Sequence, residues 1–233
     1  MTLSGGRAPL SPDRTGRFTQ PVPDDLAYVE PYLRRLRGRI GGRTVIDSER
    51  ALLVHRPTWP WYVFAFPPED VADEVLAKPD PDAPGYVRVR WDDIEDWFEE
   101  DEPVVGHLKN PYHRVDCLRT SRRLHVQVGD TVLVDTDRTV LLLETSIEPR
   151  LYVGRDDVRT DLLVPSETRT YCSYKGVASW WSAVVGDTVV PDVAWSYDDP
   201  LATSGCEVIR GWLSFVTDVG GLTVAAALPP TAR

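Results

Sequence analysis

The sequence predicts a mainly β protein with short helices, an α+β chain built from two repeated small antiparallel β domains. Three observations support this fold class. Short apolar runs alternate with polar residues, Gly-Asp pairs separate several of these runs, and one stretch recurs at a constant offset of 88 residues. Alternating runs bounded by turn residues are typical of strands and hairpins, and recurrence at a fixed spacing is typical of a duplicated domain.

The composition is that of a folded globular chain. Its 233 residues allow one large or two small domains, and 42% hydrophobic with 27% charged residues is ordinary for a folded protein. A formal net charge of -10 disfavours nucleic acid and anionic membranes, so neither is a predicted partner. We find no signal peptide and no stretch of about 20 apolar residues, and therefore expect a cytoplasmic protein.

Cysteine and histidine spacing gives no reason to expect a metal or a cofactor. The three cysteines form no Cys-x-x-Cys pair, and the four histidines show no regular spacing. A structural zinc site needs such pairs of ligands. In a reducing compartment we expect all three cysteines to be thiols.

The repeat aligns residues 40–56 with residues 128–144 without a gap. The aligned pairs are Gly41 with Gly129, Asp47 with Asp135, and Arg50 with Arg138. Trp61-Tyr62-Val63 and Leu151-Tyr152-Val153 also look equivalent. The predicted domains are a flexible tail over 1–25, a diverged first copy over 26–106, a linker over 107–122 and a second copy over 123–228.

The first copy contains an acidic segment. Residues 69–102 carry 14 acidic and three basic side chains, whereas residues 1–68 have more basic than acidic ones. This segment is either a solvated face or a docking surface for a cationic partner, and we favour the solvated face. The spacing of Trp91, Ile94, Trp97 and Phe98 predicts a short amphipathic helix within residues 92–102.

The second copy reads as two hairpins with strands between and after them. Leu124, Val126 and Val128 alternate with polar residues before the turn Gly129-Asp130. The other predicted strands are residues 139–143, 151–153, 179–185, 188–190, 192–197 and 207–215. Asp156 is predicted to cap a short helix that packs Val158 and Leu162.

Three sequence runs resemble one known family. They are T-R-T-Y-C-S-Y-K-G-V-A-S-W-W-S at 168–182, A-W-S-Y-D-D-P at 194–200 and D-D-V-R-T-D-L-L at 156–163. Over residues 123–226 they resemble the bacterial and fungal family called domain of unknown function 427. Asn110-Pro-Tyr-His-Arg-Val-Asp resembles the segment between domains in tandem members. The first copy lacks the Lys-Gly motif, and residues 96–101 are a possible counterpart of 194–199.

The resemblance implies a small fold similar to the β-tent. Relatives with that fold commonly hold zinc through two Cys-x-x-Cys pairs, which this sequence lacks. The family also carries a nucleotidyltransferase-like label. The sequence has neither a Gly-rich phosphate loop nor a paired Asp-x-Asp motif to support that activity.

Lys175 is the main candidate for a catalytic residue. It lies between Tyr174 and Gly176, and the glycine can let the backbone approach a ligand. Desolvation among aromatic side chains would lower the pKa of Lys175 and make it a base, a nucleophile or an anion anchor. The alternative is a surface lysine paired with Asp198 or Asp199, and the two interpretations have equal weight.

Cys172 is a second candidate catalytic residue. Lys175, three positions away, could stabilise its thiolate, although burial as a small apolar side chain is the interpretation we favour. His113 could reach Cys172 through the fold and complete a Cys-His pair. Cys117 and Cys206 carry no predicted function.

Aromatic and polar side chains complete the candidate site. Strand alternation places Trp180 and Trp181 on opposite faces, so about half of the aromatic residues should be core while the rest line a pocket for a flat ring or a cation. The aromatic candidates are Tyr174, Trp180, Trp181, Trp195 and Tyr197. The polar ligand-binding candidates are Asp192, His113 and Arg114.

The remaining carboxylates have two interpretations each. Asp198 is a candidate catalytic residue, and Asp192 and Asp199 could likewise act as a general base or cation anchor, although Asp-Asp-Pro also suits an ordinary turn. Arg114 with Asp116 either closes the site or ties the linker down.

Three functions follow from these residues. The first is binding, with or without transformation, of a small organic molecule in the second copy. The second is a non-catalytic interaction module that docks a basic protein on the acidic segment. The third is nucleotidyl transfer, which needs a divalent cation at the carboxylates. The sequence does not decide whether the protein is an enzyme, and it predicts no oligomeric state.

Overall fold

A computed structural model of the chain describes residues 17–57, 62–104, 106–145, 147–217 and 219–228. Trp61 and residues 1–16 of the predicted tail lie outside the described residues. The chain divides into two compact units between Leu108 and Lys109, here called the N-terminal unit and the C-terminal unit. Within the described ranges, no helix has the length and hydropathy of a membrane-spanning segment.

The N-terminal unit forms two antiparallel sheets. One has the strand order β1-β4-β5-β7-β6 and the other β3-β2-β8-β9. Its strands are β1 (Tyr28–Pro31), β2 (Leu36–Ile40), β3 (Arg43–Ser48), β4 (Leu52–His55), β5 (Tyr62–Phe66), β6 (Ala77–Pro79), β7 (Val87–Val89), β8 (Asp96–Glu99) and β9 (Glu102–Pro103). Its 3₁₀ helices are Pro68–Asp70 and Trp91–Asp93. Apolar side chains from both sheets, including Leu36, Ile46, Leu53, Phe66 and Trp97, form its main core.

The C-terminal unit also has two antiparallel sheets. Their strand orders are β10-β13-β14-β18-β17-β16-β15 and β12-β11-β19. Its strands are β10 (Val115–Thr120), β11 (Leu124–Val128), β12 (Thr131–Thr136), β13 (Thr139–Glu144), β14 (Ile147–Val153), β15 (Leu163–Cys172), β16 (Gly176–Val185), β17 (Thr188–Ser196), β18 (Leu213–Phe215) and β19 (Leu222–Ala226). Its 3₁₀ helices are Arg155–Asp157, Thr160–Leu162, Ala202–Ser204 and Glu207–Ile209.

The seven-stranded sheet has an apolar cluster on each face. Leu141 packs in one cluster while its neighbours Val140 and Leu142 pack in the other, as strand alternation requires. Trp181 packs against the first cluster, and Trp195 packs against the second, which contains Tyr197. The prediction that Trp195 and Tyr197 share a face is confirmed.

The prediction of mainly antiparallel β structure is also confirmed. The hairpin at Gly129 joins β11 to β12, and the hairpin at Gly186 joins β16 to β17. Both glycines have positive φ, which glycine adopts without the steric penalty of a side chain. The predicted linker contributes β10, which pairs with β13 along its whole length.

The two predicted helices are present only as short 3₁₀ helices. A 3₁₀ turn at Trp91–Asp93 precedes β8, in which Trp97 pairs with Gly38 of β2. A turn followed by a strand buries Ile94 and Trp97 as a helix would, so the spacing alone could not separate the two structures. The region after Asp156 likewise forms two separate 3₁₀ turns, and Leu163 begins β15.

Three further details of the predicted layout are corrected. The offset of 88 residues aligns Leu52 with Val140. Leu52 pairs with Ala65 and Val140 pairs with Tyr152, so the position equivalent to Tyr152 is Ala65. The register therefore does not match residues 61–63 to residues 151–153. Strand β8 pairs with β2 in the N-terminal unit, and β19 pairs with the corresponding strand β11 in the C-terminal unit. The position of β8 therefore matches β19, which does not support a match of residues 96–101 to residues 194–199. Of the predicted strand 207–215, only the end forms β18, because Glu207–Ile209 is a 3₁₀ helix.

Candidate functional site

A buried charged network lies at the end of β13 in the C-terminal unit. Glu144 Oε1 lies 2.9 Å from His113 Nε2, and Glu144 Oε2 accepts a hydrogen bond from Lys175 Nζ. The Lys175 and Glu144 side chains are only 7% and 1% exposed. These residues come from three distant segments, so the fold builds the network across strand ends.

The turn between β15 and β16 positions Lys175. Cys172 pairs with Gly176, so residues 173–175 form the connection, and Gly176 has a φ of 103°. A Cβ at this position would lie 3.4 Å from Asp199 O. The Lys175 carbonyl accepts a hydrogen bond from Leu201 N at 3.0 Å. The Lys-Gly pair of the sequence motif therefore reverses the chain so that the lysine side chain enters the protein.

The predicted decrease in the pKa of Lys175 is wrong, because Lys175 forms an ion pair with Glu144. Burial by itself would lower this pKa, but the nearby Glu144 carboxylate raises it above the ordinary value of 10.5. Burial would raise the pKa of Glu144, yet the hydrogen bond from His113 and the charge of Lys175 hold it below 4.5. Lys175 is therefore a fixed cation rather than a neutral base or nucleophile, and its partner is Glu144 rather than Asp198 or Asp199.

These directions predict how the pair stabilises the protein across pH. The lowered pKa of Glu144 gives stability that is full above about 4.5 and is lost as pH falls below that value. The raised pKa of Lys175 gives stability that is full below about 10.5 and is lost above it. The free energy of unfolding in urea is to be measured for wild type and for Glu144→Leu/Lys175→Met at each pH. We expect the difference between the two to show a plateau between these two pH values. A difference independent of pH would contradict the assignment.

Aromatic rings surround the network. The His113 and Tyr174 rings stack with centroids 3.6 Å apart and an angle of 11°, and Tyr174 OH accepts a hydrogen bond from Asn110 N at 2.7 Å. Lys175 Nζ lies 5.8 Å from the centroid of the Tyr197 ring. Residues of the predicted linker thus hold one side of the site.

All three cysteines of the chain lie near this network. Cys172 Sγ is 4.0 Å from Glu144 Oε1, and Cys117 Sγ is 3.7 Å from Cys206 Sγ. Hydrogen bonding from Cys117 lowers the pKa of Cys206 to about 7 and raises the pKa of Cys117. Lys175 contributes to the lower pKa of Cys206 through its positive charge. The site therefore holds a hydrogen-bonded thiol pair in which the pKa of Cys206 lies below that of Cys117.

We expect Cys117 and Cys206 to form an intramolecular disulfide when the protein is oxidised. Because the sulfurs are already 3.7 Å apart, a small movement would bring them to bonding distance. We expect diamide to remove two hydrogens from the wild type and to leave Cys117→Ala and Cys206→Ala unlinked. Peptide mapping after trypsin would identify the bond. A link between Cys172 and either partner would contradict this pairing.

Several predicted aromatic residues form structural contacts next to the network. Trp180 and Trp195 have ring centroids 5.4 Å apart, and Trp195 Nε1 donates to Tyr152 OH at 2.9 Å. Tyr152 and Tyr197 belong to the same apolar cluster as Cys206, with Cys172 packed against it. Burial raises the pKa of both tyrosines, so their hydroxyls stay protonated.

The other predicted site residues have partners elsewhere. Trp181 Nε1 donates to Ser196 Oγ at 3.2 Å, and Ser196 Oγ donates to Asp198 at 2.9 Å. Asp199 pairs with Arg210 at 2.7 Å. The remaining contacts are Asp192 with Thr168 at 2.7 Å and Arg114 with Asp116 at 3.1 Å. The described contacts do not connect these carboxylates to Lys175.

Sequence reasoning missed the central carboxylate. Glu144 ends the strongly apolar run Thr-Val-Leu-Leu-Leu-Glu, and the position 88 residues earlier, in the N-terminal unit, is Arg56. An acidic side chain at the end of a buried strand was a usable signal, because a buried charge needs a partner. Neither Cys117 nor Cys206 has a comparable signal, since 89 positions separate them.

Comparison with known proteins identifies one family. Residues 116–225 match the family described as "Domain of unknown function (DUF427)". No curated protein matches the chain. Among the described residues, no group of three or more His, Cys, Asp or Glu side chains is arranged to hold a metal ion.

Proposed function

We propose, from the premise that residues 116–225 belong to the DUF427 family, that the C-terminal unit binds a small organic molecule beside Lys175, Glu144 and His113. The buried charged network carries this proposal. Desolvating an ion pair costs several kcal/mol per ion, so such a pair is a poor way to stabilise a small domain. Titratable groups with strongly shifted pKa values are also concentrated at functional sites.

The network suggests a division of roles within the site. Lys175 supplies a fixed positive charge for an anionic or carbonyl group, and Glu144 fixes its position. The half-buried Cys172 thiol, next to these charges, is the group we propose to react if the ligand is transformed. Because the three cysteines are free, we place the protein in a reducing compartment, the cytoplasm.

A thermal-shift screen tests the proposal. The probes are keto acids, amines, sugars, nucleotides and aromatic acids, each with and without Mg²⁺. A ligand present at about 100 times its Kd adds about 2.7 kcal/mol of stability to the folded state, which raises the unfolding midpoint by several degrees.

Two variants locate any hit. Glu144→Leu/Lys175→Met removes both charges together, and Arg159→Gln is a control at an exposed cation paired with Asp161. We expect the shift to persist in the control and to vanish in the double variant. A shift retained by the double variant would exclude the network as the binding site, and no shift with any probe would exclude these ligand classes.

We also propose that the two units are copies of one domain, of the β-tent type implied by the resemblance. Corresponding ion pairs support this proposal. Arg35 binds Asp47 at 2.6 Å and Arg123 binds Asp135 at 2.7 Å, each 12 residues apart. The register shift in the β2–β3 pair, at Gly38, recurs in the β11–β12 pair 88 positions later.

The structure gives less support to the other two functions. Six arginines between residues 34 and 56 pair with other groups of the N-terminal unit, and five of them pair with the acidic segment 69–102. This pairing removes much of the charge that would dock a basic protein. Nucleotidyl transfer needs carboxylates free to bind a cation, whereas Asp192, Asp198 and Asp199 each have a contact within the protein.

A further inference from the structure

The N-terminal unit contains a cavity of about 840 Å³ where β5 and β7 separate. These strands pair only at Ala65 and Phe66. Tyr62–Phe64 lines the cavity from β5, and residues 89–91 line it from the other side. Its size lies within the range of small-molecule sites.

Aromatic rings form the floor of this cavity. Trp91 and Trp97 stack with centroids 5.4 Å apart and an angle of 9°, and Phe66 stacks on Trp97 at 6.0 Å. Phe66 and Trp97 are 1% and 4% exposed, so the core holds the floor in place. Leu76, in contrast, is 64% exposed and adds an apolar lip. A flat apolar ring could therefore stack inside the cavity.

The charged residues that line the cavity are mostly basic. All three basic residues of the acidic segment 69–102 line the cavity, whereas only one of its 14 acidic residues does. The basic residues are Lys78, Arg88 and Arg90, and the acidic one is Asp92. Positive charge is thus concentrated at the cavity within the most acidic part of the chain.

Two of these cations face each other across a strand pair. Lys78 of β6 lies directly opposite Arg88 of β7. Within the described ranges neither side chain forms an ion pair, and Arg90 has only a 3.7 Å contact with Asp92. Like charges directly opposite each other destabilise a sheet unless an anion lies between them. The arrangement therefore suits a bound anionic group.

We propose that this cavity binds a small organic anion that carries an aromatic ring. The ring stacks on Trp91, which Trp97 and Phe66 support from the core, and its carboxylate, sulfonate or phosphate group binds between Lys78 and Arg88. This site lies entirely in the N-terminal unit and is independent of Lys175. It assigns a binding role to the copy that lacks the Lys-Gly motif.

Two fluorescent probes test charge and ring recognition separately. 8-Anilino-1-naphthalenesulfonate has both features, and N-phenyl-1-naphthylamine has the same rings without the sulfonate. We expect one binding site for the sulfonate on the full chain and at least about tenfold weaker binding of the uncharged probe. Equal affinity for both probes would overturn the proposal.

Charge-matched variants locate the site. Lys78→Gln/Arg88→Gln is expected to weaken binding of the sulfonate about tenfold or more, whereas Arg17→Gln/Arg43→Gln is expected to change it little. Because the first variant removes a like-charge contact, its unfolding midpoint without probe should stay level or rise, which separates lost binding from lost folding. Unchanged sulfonate affinity in a folded Lys78→Gln/Arg88→Gln variant would refute the site.

Discussion

Replacing Glu144 with Gln is expected to destabilise the C-terminal unit by about 3 to 5 kcal/mol. The substitution keeps the shape of the side chain but leaves the buried Lys175 ammonium without its counter-charge. Hydrogen exchange of backbone amides in β13 and β16 would measure the loss in this unit alone. Few single substitutions have effects of this size, because most surface changes cost less than about 0.5 kcal/mol.

A double-mutant cycle separates the pair from its surroundings. Lys175→Met alone should also destabilise, since it leaves the buried Glu144 carboxylate with His113 and the weakly donating Cys172 thiol as its described partners. Glu144→Leu/Lys175→Met should recover much of the loss, because replacing both charges with apolar groups is often neutral. Additive losses in the double variant would show that the two residues do not act as a pair.

Asp80→Asn is expected to destabilise the N-terminal unit by about 3 kcal/mol or more. Arg56 Nη2 donates to both Asp80 carboxylate oxygens, at 2.8 and 2.7 Å, and the Asp80 side chain is completely buried. Asp80 also accepts hydrogen bonds from the backbone of Asp82 and Ala83. The substitution therefore removes the fully buried carboxylate of this network, leaves Arg56 with the partly exposed Asp82 at 2.7 Å, and weakens the turn that follows β6.

Hydrogen exchange in β4 and β6 measures this effect, and an exposed pair provides the control. Arg35 and Asp47 are joined by two short hydrogen bonds but are 38% and 41% exposed. Asp47→Asn should therefore cost no more than about 1 kcal/mol. Equal losses in Asp47→Asn and Asp80→Asn would mean that burial does not set the strength of these pairs.

Local patterns in the sequence predicted much of the fold. Alternation around Gly129 and Gly186 placed both hairpins correctly, because turn geometry and side-chain period are set by neighbouring residues. The segment around Trp97 was misassigned because a turn followed by a strand can bury the same positions as a helix. The pairing of β8 with β2 decides that this segment is a strand, and the spacing of apolar residues in the sequence gives no information about that pairing.

The candidate site shows the same limit more strongly. Lys175, Cys172, His113 and Tyr174 were identified from composition and motif, and the fold brings them together around Glu144. The direction of the Lys175 pKa shift was predicted wrongly because its sign depends on a carboxylate 31 positions away. Desolvation can be guessed from neighbours in sequence, whereas an electrostatic partner is known only from the fold.

The stack of His113 on Tyr174 gives the C-terminal unit an internal magnetic reporter. With the two centroids 3.6 Å apart and the rings nearly parallel, each ring lies in the shielding zone of the other. The imidazole carbon-bound protons of His113 should therefore resonate upfield of those of the exposed His107. Because His113 also contacts Glu144, a molecule that enters the site would move these signals, and NMR could detect its arrival without a label or an assay for turnover.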